Sequence, residues 1–203
     1  MHKSSYLKMK WFKTEYLKTS ANLNILDVGS LDNKGDFNYR EIFNEENWTY
    51  TGLDFQGGNN VDIVVTDIYN WFEVEDNTYD VVISGQLFQH LEYFWLTMSE
   101  IERVLKPGGY VCIIAPAAGP KHGGDMPNCY RFREDGLAAM AKYVDLEVLF
   151  TEVNGSDKAA PWHDACLVAH KAGMSVSGET EELENRVNNL EKKIDAILEA
   201  VNK

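Results

Sequence analysis

Apolar positions along the chain change their period several times, and each change marks an element. Across residues 4–17, Tyr6, Met9, Trp11, Phe12, Tyr16 and Leu17 recur at near-helical spacing with lysines between them. This predicts an amphipathic helix that either covers the core or forms a lid over a ligand. Residues 24–30 (Asn24, Ile25, Leu26, Asp27, Val28, Gly29, Ser30) are an apolar run too short for an ordinary helix, emptying into an acid and a glycine. They read as a buried parallel strand followed by a tight turn. Further strands are expected at 49–54, 61–67 and 79–85, with a turn-rich loop at 31–36 and a short helix at 39–43 after the first. Three-and-four spacing of Leu91, Phe94, Trp95, Met98, Ile101 and Leu105 predicts a crossover helix over 91–105. Lys106, Pro107, Gly108 and Gly109 end that helix and turn the chain into a fifth strand at 110–115. A helix at 134–143 and strands at 146–153 and 164–170 complete the series; the short polar linker 154–161 predicts that these last two pair as an antiparallel edge hairpin.

Seven strands alternating with turns and helices predict a doubly wound α/β sheet, mostly parallel. Ligands of such sheets bind outside the carboxyl ends of the strands, so first contacts are expected at Asp27, Gly29 and Ser30, where glycine allows close backbone approach. Asp54 follows Gly29 by about 25 residues, close to where a nucleotide-binding βαβ unit places an acid for ribose hydroxyls.

Composition narrows the partners. The chain has 203 residues, 44% hydrophobic and 25% charged, with a formal net charge of −13. That suits one domain with a substantial core plus a short appendage. The acidic balance opposes a nucleic-acid partner, which calls for a basic face. Three cysteines, Cys112, Cys129 and Cys166, are widely spaced and suggest neither disulfide framework nor zinc site. No apolar run approaches membrane-spanning length and the first residues carry no signal-peptide pattern, so a cytoplasmic protein without membrane contact is expected.

With these residues in place, the chain resembles the class I S-adenosylmethionine-dependent methyltransferases over about residues 20–171. The likeness rests on Ile25 to Ser30, Asp54, Asp67 after the third strand, Tyr79 to Ser84, and Leu105 to Gly109 in register with the next strand. Leu31 and Asn33 stand where the family usually has its later loop glycines. The incomplete G-x-G-x-x-G opposes a nicotinamide-dependent oxidoreductase, whose pyrophosphate needs those glycines. The resemblance implies a Rossmann-like fold and S-adenosyl-L-methionine as cofactor. It implies Asp27, Gly29 and Ser30 at the methionine portion, Asp54 on the ribose and Phe55 beside the adenine. Asp67 would meet the adenine amino group with Ile68 packed on the ring, and Ser84, Gly85 and Gln86 would run under the sulfonium. For Asp67 and Ser84, strand-end capping is the competing reading.

Methyl transfer needs mainly alignment, and a hydroxyl acceptor also needs a base. His90, just past the fourth strand, and His122, in the loop after the fifth, are the candidates. Gln89 stands where some related enzymes carry a glutamate used for a metal, so no metal is expected. The long loop 117–133 carries Lys121, Tyr130 and Arg131, and with His163 these are candidate substrate contacts. Guanidinium suits a planar anion, so the acceptor is expected to be small and sugar-like or anionic. Similar sequences with an aromatic-arginine-phenylalanine triplet look like enzymes of surface-glycan biosynthesis. The alternative is a catalytically silent module of the same fold that recruits a partner enzyme.

The methyltransferase domain is expected over 1–173, with a linker at 174–178. Residues 179–203 contain no proline or glycine, and Leu183, Val187, Leu190, Ile194, Ile197 and Val201 alternate in steps of four and three. That is a coiled-coil seam joining two or three copies of the chain. A helix folding back on its own domain is the competing reading.

Overall fold

The computed structural model describes residues 3–32, 38–121, 126–154 and 163–173. Helix α1 (Lys3–Tyr16) leads into β1 (Leu23–Val28) and β2 (Trp48–Asp54), then β3 (Ile63–Val64) and β4 (Tyr79–Gly85). Helix α2 (Phe94–Val104), β5 (Leu105–Pro116), α3 (Glu134–Tyr143), β6 (Glu147–Val153) and β7 (Asp164–His170) follow. The sheet order is β3-β2-β1-β4-β5-β7-β6, parallel up to β5, with β7 antiparallel between β5 and β6. This is the expected seven-stranded doubly wound sheet with its antiparallel edge hairpin. The coiled-coil seam and its linker lie outside the described residues.

Strand alternation divides the core into two layers. Leu26, Val28, Val82, Val111, Ile113 and Leu167 pack with Met98 and Ile101 of α2 and Leu137 and Met140 of α3. Ile25, Val81, Ile83, Cys112, Ile114, Cys166 and Val168 face the other way, against Met9 and Phe12 of α1 and the turn carrying Tyr39, Ile42 and Phe43. Both faces are covered, which is why these strands read as continuous apolar runs.

Four expectations change. The helix at 39–43 is a single 3₁₀ turn, Tyr39–Glu41. The third strand is two residues long because β2 offers it only Leu53 and Asp54 as partners. Helix α2 starts at Phe94, and Leu91 belongs to the preceding turn, where it is still buried. The proline-glycine stretch lies inside β5: Leu105 pairs with Tyr79 and Tyr110 with Val81, so the residues between bulge out. Gly108 (φ +82°) donates its amide to the Lys171 carbonyl, the Lys171 amide donates to the Gly109 carbonyl, and a Cβ on Gly109 would lie 2.9 Å from the Asp80 carbonyl oxygen. Glycine is thus required by the bulge.

Candidate functional site

The strand order reverses direction between β1 and β4, and the crevice above their carboxyl ends is the expected ligand position for such a sheet. Val28, Gly29, Leu53, Asp54, Phe55, Ile68 and Leu87 line it. Gly29 has φ +81°, and a Cβ there would lie 2.9 Å from that of Leu87, so the turn after β1 passes too close to the loop after β4 for any side chain. Asp54 is held at its mouth: Oδ2 accepts the Leu31 amide and Oδ1 the Gln56 amide, both at 3.1 Å. Burial raises the Asp54 carboxyl above its ordinary range, with those amides opposing the shift. A carboxylate accepts about four hydrogen bonds, so Asp54 keeps capacity for a ligand hydroxyl beyond its backbone amides.

A wider cleft of about 260 Å³ continues outward, sharing Phe55, Ile68 and Leu87 and adding Tyr69, His90, Leu91, Glu92, Met126 and Pro127. The Nδ1 of His90 lies 2.6 Å from the Pro127 carbonyl oxygen. A carbonyl only accepts, so Nδ1 carries the proton and the ring lone pair belongs to Nε2.

The residues expected from the sequence divide into two groups. Gly29, Asp54, Phe55 and Ile68 meet in the crevice and His90 in the adjoining cleft. Asp27 is buried beneath the turn, where its carboxylate accepts a hydrogen bond from Tyr50. Burial pushes its pKa up to about 7, and the Asp54 charge adds to the rise against the Tyr50 bond. Ser30 turns toward β2, where its oxygen would be 2.7 Å from a Cβ on Gly52. The hydroxyl of Ser84 donates to the Val28 carbonyl at 2.8 Å, tying β4 to β1. Asp67 is exposed, and its Oδ1 accepts the Tyr69 amide at 2.8 Å, a local turn. Both side chains bond nearby backbone groups, as the capping reading expects.

Around the outer loop, Arg131 donates to the carbonyls of Ala118, Tyr130 and Pro120. It ties its own loop together rather than presenting an open fork to an anion. Tyr130 packs on Phe94 and Phe132 and donates to the Glu92 carbonyl. Lys121 is exposed, and His163 (φ +42°) sits just before β7 with Nδ1 3.4 Å from the Asn154 carbonyl oxygen. His122 lies outside the described residues. Among the described residues no cluster of metal-ligating side chains occurs, and no helix is long and apolar enough to cross a membrane. Sequence reasoning missed Leu53, Tyr69 and Leu87 as lining residues, because an apolar residue at a strand end gives no signal of what it faces.

Residues 36–113 match the methyltransferase domain family. Over that stretch, and in its fold, the chain is similar to the class I S-adenosylmethionine-dependent methyltransferases. Among solved structures it is similar to a SAM-dependent methyltransferase from Aquifex aeolicus, at 18% identity and a TM-score of 0.58 over 82% of this chain and 92% of that one. A Burkholderia thailandensis 1,6-didemethyltoxoflavin-N1-methyltransferase, with S-adenosylhomocysteine bound, matches at 16% and 0.59 over 83% and 84%. The [4+2]-cyclase SpnF matches at 16% and 0.60 over 82% and 80%. Identities this low speak for the fold alone. No curated protein matches the chain.

Proposed function

We propose that this chain binds S-adenosyl-L-methionine in the crevice above β1, β2 and β4 and transfers its methyl group to a hydroxyl of a small molecule. The observation that carries the reading is the junction of two spaces: an apolar slot with a carboxylate at its mouth, opening into a cleft that holds a histidine. Asp54 would accept the ribose hydroxyls, Phe55 and Ile68 would flank the base, and the Gly29 backbone would approach the methionine portion. Held by these residues, the cofactor would supply an electrophilic methyl group to the acceptor oxygen. His90, with its lone pair on Nε2, takes the proton that the hydroxyl gives up. Positioning by the two walls supplies most of the rate.

A sugar hydroxyl of surface-glycan biosynthesis fits this reading. The engagement of Arg131 with three carbonyls removes the main support for an anionic group on the acceptor. Calorimetry with S-adenosylhomocysteine tests the cofactor site, and a screen of nucleotide sugars, phosphorylated metabolites and carboxylates for S-adenosylhomocysteine release tests transfer. Absence of binding ends the proposal. Binding without release from any acceptor favours the silent module instead, a reading kept in view by the cyclase that shares this fold.

A further inference from the structure

On the face covered by α1, at the same edge of the sheet, lies a polar cluster that the crevice does not use. Asp164, the first residue of β7, is 2% exposed and pairs with Pro116 at the end of β5. Its Oδ1 accepts from Gln86 Nε2 at 2.9 Å and its Oδ2 from the Ser4 hydroxyl at 2.6 Å. Beside it the hydroxyls of Ser5 and Tyr39 are 2.6 Å apart, and Tyr39 stands so close over Gly85 that a Cβ there would lie 1.9 Å from its oxygen. Burial raises the Tyr39 phenol, and the charges of Asp27 and Asp164 push it the same way, so it stays protonated.

The orientation of two amides decides what this cluster accepts. Gln86 must turn its nitrogen to Asp164, because an amide oxygen facing a carboxylate would be repelled; its Oε1 is buried with no hydrogen-bond partner. Gln89 donates Nε2 to the Gln86 carbonyl at 2.7 Å, which fixes that amide too, and its Oε1 is likewise buried and unpartnered in a side chain with no exposure. Buried acceptors without donors are costly and rare, so a pair of them asks what donor they meet. Gln86 also holds φ +62°, a strained position for a residue with a side chain, and it leads straight into Leu87, which lines the crevice.

We infer that Gln86, Gln89 and Asp164 form the recognition site for the donor-bearing part of the methyl acceptor, a hydroxyl or a protonated amine. The Ser4 hydroxyl on Asp164 Oδ2 occupies the position that such a group takes when the first turn of α1 yields. A carboxylate or phosphate is rejected, since it would bring oxygens against oxygens with no proton between them. The inference rests on the methyltransferase reading and names its substrate class.

The test uses the full chain. A first titration with S-adenosylhomocysteine establishes cofactor binding; its failure breaks the methyltransferase reading before any acceptor is added. The complex is then titrated with glucosamine, glucose and glucuronate, which share one skeleton and differ in ammonium, hydroxyl and carboxylate. Glucosamine and glucose are expected to bind at least roughly tenfold more tightly than glucuronate. Asp164→Asn should weaken glucosamine at least roughly fivefold while leaving S-adenosylhomocysteine affinity unchanged. Should Asp164→Asn fail to fold, Gln89→Leu makes the same comparison, because it removes one orphan oxygen and keeps the carboxylate. Glucuronate bound as tightly as glucose, no heat from any of the three, or unchanged glucosamine affinity in the folded variant overturns the inference.

Discussion

Asp27 lies beneath the turn that carries Gly29, with Tyr50 as its hydrogen-bond donor and the Asp54 charge nearby. Folding raises its pKa from the ordinary carboxylate range to about 7, so between the two the native chain holds a proton that the unfolded chain has released. Stability from this group is complete below the unfolded pKa and is lost as pH rises through the folded one, a change on the order of 4 kcal/mol in full. Asp27→Asn should therefore gain on the wild type as pH rises from 5 to 8, read as the difference in urea-unfolding free energy at each pH. A difference independent of pH would refute this account. For Asp54, replacement by Ala should weaken S-adenosylhomocysteine binding roughly 10- to 100-fold, the worth of hydrogen bonds to a charged group, when measured by calorimetry. At this scale the sequence showed which acids end strands. It did not show which of them lie behind the turn, because alternate strand residues look alike until the covering elements are in place: Asp27 faces the Tyr50 side, and Asp54 the crevice.

Between β3 and β4 the chain forms no helix, and side chains of α2, Arg103 foremost, hold that connection in place. Arg103 donates to the carbonyls of Trp71 and Val74 and to the carboxylates of Glu100 and Asp76, while Glu100 accepts the Trp71 amide. The Glu100 hydrogen bond is the leading cause of the rise in the Arg103 pKa. Because this segment carries Ile68 and Tyr69 into the cleft, the staple also supports the site. Arg103→Ala is expected to lower stability by about 1–3 kcal/mol in urea unfolding. Arg103→Lys should recover little of it, since an ammonium cannot span the same fork of acceptors. Cofactor affinity should fall together with stability; a destabilised variant with full affinity would separate the staple from the site. The helical period of α2 and α3 was legible in the sequence. The role of Arg103 was not, since its partners on the β3–β4 connection are roughly 30 positions away.

For the whole molecule, the heptad seam of residues 179–203 is expected to join copies of the chain. Truncation before Ser177 should lower the native mass measured by light scattering, and an unchanged mass would refute assembly through this segment. The sequence by itself determined the number of strands and their succession along the chain, the doubly wound class and the acid and glycine at the strand tips, because period and punctuation are local properties of the chain. Tertiary structure alone decided which polar groups share a space. Ser4, Gln86 and Asp164 come from a helix, a strand end and a returning strand. Only the antiparallel placement of β7 beside β5 brings the last of them to the edge where β4 ends.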